Sequence, residues 1–209
     1  MATKGKKAII FDLDNTIYPV ASIGEEVFEE LFKIIKQNGN YEGDFEDVKH
    51  AIQRQPFQVV AKDFKFSDEL LERGNRHLQD LQYDKPIKPF EGFEDARNIK
   101  LKKFLVTTGF EKLQWSKIRQ LNLEEDFEKC FVVDPSKSDQ TKKEVFAEIL
   151  KDYHFQPHEV LVLGDDLESE IQAGKDLGID SVVFDYNGEY SNLKTEHVIS
   201  HYEELQRYL

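Results

Sequence analysis

Five short apolar runs constrain this chain most. They cover residues 8–11, 104–106, 131–133, 160–163 and 181–184. Each is nearly continuous rather than alternating, as strands buried on both faces should be. Helical patterns separate the last four. Residues 111–121 carry Leu113, Ile118 and Leu121, and residues 141–153 carry Val145, Phe146, Ile149 and Leu150. Residues 168–177 carry Ile171, Ala173 and Leu177 at helical spacing, with Gly178 as a stop. Thr141 and Glu144 together predict a capping-box start. Strand and helix in alternation predict an α/β, Rossmann-like parallel sheet covered by helices.

The first run breaks this rhythm. About ninety residues separate Asp12 from the second run, where a crossover needs only about a dozen or slightly more. Most of the surplus has helical periodicity: residues 22–37, 67–81 and, less regularly, 45–54. Pro86 and Pro89 punctuate the return. This pattern predicts a core domain of residues 1–15 and 89–209 with an inserted α-helical domain, residues 16–88.

Composition narrows the partners. The 209 residues include 41 acidic and 28 basic side chains, a net charge of −13. Such a surface repels nucleic-acid phosphates and anionic lipid. A small phosphorylated ligand remains compatible with it where a local cation or helix terminus offsets the field. No apolar stretch approaches the roughly 20 residues that span a bilayer. The single cysteine, Cys130, cannot form an internal disulfide and reads as a strand residue. The basic start at Lys4 to Lys7 leads only into a short apolar run, which does not read as a signal peptide. The expectation is a cytoplasmic monomer or homodimer without nucleic-acid or membrane partners.

Three strand ends carry chemistry. The run at 8–11 ends in Asp12-Leu13-Asp14, two carboxylates with one residue between them. In open parallel sheets, ligands bind beyond the carboxyl ends of the strands. Two acids converging there repel each other, which fits a nucleophile and a general acid at one site. A calcium loop starting at Asp12 fails, because its twelfth position is Ile23 rather than Glu. The second strand ends in Thr107-Thr108-Gly109, a hydroxyl and free backbone N–H groups suited to a phosphoryl oxygen. The fourth run ends in Gly164-Asp165-Asp166. Asp165 joined to Asp12 gives a hard oxygen site suited to magnesium.

Together these motifs resemble the haloacid dehalogenase superfamily. Asp12-Leu13-Asp14-Asn15-Thr16 is similar to its first motif, Thr107 to its second-motif hydroxyl and Gly164-Asp165 to its fourth motif. Order and separations agree over nearly the whole chain. An insert after the first strand resembles the helical-cap subclass, and residues 15–19 resemble the branch of small-molecule and nucleotide phosphatases. Two positions depart from the family pattern: Thr108 stands where Asn is frequent, and Glu170 where a second Asp is frequent.

The resemblance implies a magnesium-dependent phosphomonoester hydrolase acting on a small phosphorylated metabolite. Asp12 is then the nucleophile that forms an aspartyl phosphate, and Asp14 the acid and base. Thr107, Thr108 and Gly109 hold the phosphoryl group. Asp12, Asp165 and the backbone carbonyl of Asp14 hold the metal. The family's lysine lies near the start of the helix before the fourth strand. That favours Lys142 over Lys143 and Lys137. Among the inserted residues, Phe57, Lys62, Arg73, Arg76 and His77 are open candidates for facing the substrate.

Other activities share the fold. A 2-haloacid dehalogenase displaces halide without a metal and lacks the second acid, so Asp14 argues against it. A phosphomutase would keep the core and differ in the insert. A non-catalytic binding module would be expected to lose Asp12, Asp14 or Asp165, and all three are present.

Overall fold

A computed structural model describes residues 5–190 and 197–209. The strands are β1 (Ala8–Phe11), β2 (Lys102–Thr108), β3 (Lys129–Val133), β4 (Val160–Gly164), β5 (Asp180–Phe184) and β6 (His197–Ile199). They form one parallel sheet in the order β3-β2-β1-β4-β5-β6. β1 is central, and the chain moves outward from it first on one side and then on the other. A parallel sheet opens a crevice at such a switch point. The three strands that carry the acidic and hydroxyl motifs, β2, β1 and β4, are immediate neighbours there.

The five predicted strands are all present. The sixth, β6, was not anticipated. It has three residues at the sheet edge, and only Ile199 is fully buried. So short a run with one inward side chain leaves no periodic signal.

Alternating residues of each strand face opposite layers. Ile9, Phe11, Leu105, Leu161 and Leu163 point to one side, and Ala8, Ile10, Phe104, Val106, Val160 and Val162 to the other. The second face is covered by α8 (Lys142–Asp152) and α9 (Glu170–Asp176), through Val145, Phe146, Ile149 and Ala173. Thr141 caps α8 reciprocally with Glu144, as its spacing predicts, and Gly178 follows α9 with φ 71°. The first face is covered by α6 (Phe93–Arg97), α7 (Glu111–Gln120) and a C-terminal 3-10 turn, Tyr202–Tyr208.

Between β1 and β2 lie α1 (Gly24–Val27), α2 (Glu29–Asn38), α3 (Phe45–Ile52), α4 (Phe57–Asp63) and α5 (Asp68–Asp80). The predicted helix over residues 22–37 is interrupted at Phe28, whose backbone (φ −99°, ψ 9°) separates α1 from α2. Periodicity does not register such a break, because Ile23, Val27, Leu31 and Ile35 stay on the buried side of both pieces. The apolar core of these helices runs into the first face of the sheet without interruption. α5 packs on both α2 and α7, and Tyr83 donates its backbone N–H to Ser116 Oγ at 2.8 Å.

Cys130 lies in β3 and is half-buried. Burial pushes its thiol up to about 12, which makes it a packing residue rather than a nucleophile. Among the described residues, no helix is long and apolar enough to cross a membrane.

Candidate active site

The segment after β1 is a tight loop held by its own side chains. Asp12 donates its backbone N–H to Leu163 in β4 at 2.9 Å, which ties the first acid to the neighbouring strand. Asn15 sits at φ 55°, a left-handed conformation that Asn tolerates better than most residues. Its Oδ1 accepts from Val20 N at 3.1 Å and turns the chain toward the inserted helices. Thr16 is fully buried. Its Oγ1 reaches Asp12 Oδ2 at 3.5 Å, and its carbonyl accepts from the Tyr202 hydroxyl.

Asp12, Asp165 and Glu170 each offer a carboxylate oxygen within 4.8 Å of the others. Lys142, at the start of α8, donates to Asp12 Oδ1 at 2.6 Å and to Glu170 Oε2 at 2.7 Å. Lys142 and Asp12 are both more than nine-tenths buried. Burial raises the Asp12 carboxyl to about 7 even against the opposing pull of Lys142. Burial and the neighbouring Glu170 raise Asp165 to about 9. Lys142 is held more firmly protonated than usual: burial alone would lower it, but Asp12 and Glu170 prevail.

The other two candidate lysines pair with acids outside the Asp12, Asp165 and Glu170 group, although Lys143 lines the same cavity. Lys137 pairs with Glu111, and Lys143 with Asp176 at 2.8 Å.

Glu170, where the family pattern has a shorter acid, is 1% exposed. Its Oε1 accepts from Asp166 N at 2.8 Å while Oε2 takes Lys142, so both oxygens are engaged. The extra methylene fits because Gly164 has no side chain. A Cβ at position 164 would overlap the Glu170 carboxylate.

Asp14 has a separate set of partners. Lys117 Nζ lies 2.9 and 3.0 Å from its two oxygens, Tyr18 donates to Oδ1 at 2.5 Å, and Gln114 Nε2 donates to Oδ2 at 2.8 Å. Burial alone would raise this carboxyl. Lys117, with the Tyr18 and Gln114 hydrogen bonds, outweighs it and holds Asp14 below the usual carboxylate range. Thr107 is buried at the end of β2 and accepts from the same Gln114 nitrogen at 2.6 Å. Thr108 is half-buried. Gly109 takes φ 150° and donates its N–H to the Val133 carbonyl at 2.9 Å, so the free N–H expected at Gly109 is instead used to extend the pairing of β2 with β3.

These groups share one cavity of about 600 Å³. Asp12, Asp14, Thr107, Thr108, Gly109, Lys142, Asp165 and Glu170 all line it. The inserted helices and their connections contribute Phe28, Ile52, Gln53, Arg54, Gln55, Phe57 and Leu78. Of the five open candidates in the insert, Phe57 lines the cavity; Lys62, Arg73, Arg76 and His77 do not.

The metal fits the residues present. Asp12, Asp14, Asp165 and Glu170 bring four carboxylates to one region, against two buried ammonium groups, Lys117 and Lys142. Full ionisation leaves two negative charges over, and burial first, then the neighbouring carboxylates, raise Asp12 and Asp165. A divalent cation with oxygen ligands would relieve that surplus.

A family model for haloacid dehalogenase-like hydrolases matches residues 6–178. The chain belongs to that family. It is 25% identical to the glyceraldehyde 3-phosphate phosphatase of Pyrococcus furiosus, over 91% of this chain and 85% of that one. It is 22% identical to the N-acylneuraminate-9-phosphatase of Rattus norvegicus, over 85% and 82%. Among solved structures, the haloacid dehalogenase-like protein SP0104 of Streptococcus pneumoniae superposes with a TM-score of 0.71 at 16% identity, covering 97% of this chain and 98% of that one. The family member YfnB of Bacillus subtilis, a structure bound to magnesium, gives 0.66 at 18% identity over 98% of both.

Tyr18, Gln114 and Lys117 were missed in the sequence. For Gln114 and Lys117 the signal was present in α7. Gln114 and Lys117 fall at the same helical positions as Ile118 and Leu121, the i, i+3, i+4, i+7 stripe that faces inward. Polar residues on a buried stripe mark a functional face.

Proposed function

We propose that this hydrolase is a magnesium-dependent phosphomonoesterase that acts through a phosphorylated Asp12 on a small phosphorylated metabolite. The observation that carries the reading is Lys142, which binds Asp12 inside a group of three carboxylates, two at the ends of the neighbouring strands β1 and β4 and one, Glu170, at the start of α9. The phosphatase relatives support the substrate class.

Asp12 attacks phosphorus with one carboxylate oxygen, and the bond from phosphorus to the ester oxygen breaks. Asp14, when protonated, gives its proton to that departing oxygen. As a carboxylate it later takes a proton from the water that attacks the aspartyl phosphate. Inorganic phosphate leaves and Asp12 is regenerated. Lys117 favours the carboxylate form of Asp14 in the resting protein, so the proton that Asp14 passes to the departing oxygen arrives with the phosphomonoester monoanion, and the one it takes from water leaves with inorganic phosphate. Thr107 and the backbone N–H of Thr108 receive the phosphoryl oxygens, and Lys142 offsets their charge. Gly109, whose N–H is taken by Val133, only lines the pocket beside them. Asp12, Asp165 and the Asp14 carbonyl would hold Mg2+, with Glu170 supporting the site through Lys142. The metal supplies charge neutralisation for the phosphoryl oxygens.

Residues 16–88 act as a cap that closes the cavity over Asp12 and selects the substrate. The support is the cavity itself, which residues of the insert help to line. The Arg54 side chain also bridges from the insert to Glu189, beyond β5, at 3.0 Å. A phosphomutase would use the same core. Hydrolysis of a nitrophenyl phosphate and of a panel of phosphorylated metabolites, with and without Mg2+, tests the proposal. Phosphate release that needs Mg2+ and vanishes in Asp12→Asn is the expected result. Activity independent of both would sink it.

A further inference from the structure

We infer that Gln114 and Lys117 are positioning residues that set both Asp14 and Thr107 for phosphoryl transfer; the inference rests on the phosphatase reading above. Neither residue belongs to the strand-end motifs. Both project from one stripe of α7, at 1% and 4% exposure, where apolar side chains would pack at less desolvation cost.

Gln114 connects two strands. Its Nε2 donates to Asp14 Oδ2 at 2.8 Å and to Thr107 Oγ1 at 2.6 Å, with the Thr108 carbonyl further off at 3.3 Å. An amide nitrogen carries two hydrogens, and the two short contacts use both. The consequence falls on Thr107. Its oxygen accepts from Gln114, so its own hydrogen is directed elsewhere, toward the cavity where a phosphoryl oxygen is received. Gly109 permits this arrangement, because a Cβ there would press on the Gln114 side chain at 3.1 Å.

Lys117 fixes the other side. Its ammonium spans both oxygens of Asp14, and Tyr18 adds a third direction of approach. A carboxylate held from three sides has one accessible orientation, so proton transfer begins from a set geometry. α7 also carries Ser116, which accepts from the backbone N–H of Tyr83. The platform for Asp14 is thereby fixed to the chain returning from the insert.

The test uses Lys117→Met, Lys117→Arg and Gln114→Leu in the Mg2+-loaded full chain. An alkyl phosphate and a nitrophenyl phosphate serve as substrates, and Asp14→Asn as the reference. Lys117→Met and Gln114→Leu should lower kcat on the alkyl ester by about 10- to 100-fold, the range in which acid–base groups act. KM should change little, the nitrophenyl ester should suffer less, and Lys117→Arg should restore part of the loss. On an Asp14→Asn background, Lys117→Met should cost almost nothing more, since the two act as one unit. Equal losses on both esters in Lys117→Met, which acts on Asp14 alone, or full additivity of Lys117→Met with Asp14→Asn, would overturn the inference. Thermal melts identify a variant that fails to fold, and the remaining two variants then decide. If the unaltered protein hydrolyses neither ester, the phosphatase reading fails separately. The crystal structure of Gln114→Leu still answers: an unchanged Asp14 rotamer refutes positioning, and a displaced one supports it.

Discussion

Lys142 and Asp12 lie 130 positions apart in sequence, yet the Lys142 ammonium stands 2.6 Å from Asp12 Oδ1 with both groups buried. Parallel topology brings this about. β1 ends at Asp12, and α8 runs back toward β4, the strand beside it, so the first turn of α8 opens over the end of β1. Glu170, from the first turn of α9, accepts from the same ammonium. Lys142→Met should therefore do two things. It should cost roughly 3–5 kcal/mol of stability, the range for breaking a buried ion pair, because two carboxylates lose their partner. It should also lower turnover more than substrate binding. Urea melts with and without Mg2+ check the first effect, and the destabilisation should shrink when the metal is present.

Asp12→Asn should abolish turnover while the fold survives. The amide is nearly isosteric, and Asp12 N still donates to Leu163, but the side chain is a poor nucleophile and a weaker metal ligand. The measurement is Mg2+-dependent phosphate release beside a thermal melt. Near-normal release would remove Asp12 from the nucleophile role.

Metal binding should release protons, and its affinity should rise with pH. Asp12 is raised to about 7 and Asp165 to about 9 in the metal-free protein, while a ligand carboxylate must be ionised. The sign for stability follows. Both folded values exceed the ordinary carboxylate value of 3.8, so the folded state binds more protons than the unfolded one across that interval. The metal-free protein should lose this contribution as pH rises from about 4 toward about 9. Mg2+ should stabilise it increasingly over the same range. Calorimetry at pH 7 in two buffers of different ionisation heat counts the protons, and identical heats would refute the coupling.

The sequence disclosed the strands and their terminal acids because both are local: an apolar run and the residues that close it. Lys142 was legible only through the family resemblance, which places a lysine near the start of α8, and Glu170 only as an acid of unknown duty. Its function depends on Gly164, six residues earlier, which leaves room for the longer side chain. That is a packing relation no period reports. Tyr18 lies in the loop after β1, outside any periodic element, and Gln114 and Lys117 stayed hidden for a different reason. A polar side chain on a helix reads as solvated until the stripe it shares with Ile118 and Leu121 is known to face inward. The interruption at Phe28 and the edge strand β6 were lost because both are too short to alter or establish a repeating pattern.

Gly164→Ala should weaken metal binding without removing any ligand. The added methyl overlaps the Glu170 carboxylate, so Glu170 must move and its bonds to Lys142 and Asp166 N must lengthen. Groups that orient metal ligands typically matter by about 10- to 100-fold in affinity or activity. Shortening the acid in the same chain, Gly164→Ala with Glu170→Asp, should recover part of the loss. A Mg2+ titration of activity measures both, and failure of the second change to rescue the first would refute the steric account.

The insert should decide which phosphate ester is used, and Arg54 gives the sharpest test. The residues that the insert contributes to the cavity combine apolar groups, Phe28, Ile52, Phe57 and Leu78, with the consecutive polar residues Gln53, Arg54 and Gln55. These polar groups lie between α3 and α4, where loop backbone leaves side chains free to face a ligand. Arg54 is paired with Glu189 in the resting protein, both partly exposed, so exchanging that partner for a ligand anion costs little. Arg54→Ala should raise KM for substrates with a second anionic or strongly polar group and reorder the ranking across a metabolite panel. Hydrolysis of a nitrophenyl phosphate, which offers an apolar ring to those apolar groups, should change far less. The contrast follows from position: Arg54 is separate from the Asp12, Lys142 and Glu170 group, so its loss leaves the chemistry intact. An unchanged ranking would sink the selection role of Arg54. An equal fall on every ester would show that the insert acts on the reacting centre rather than on the choice of substrate.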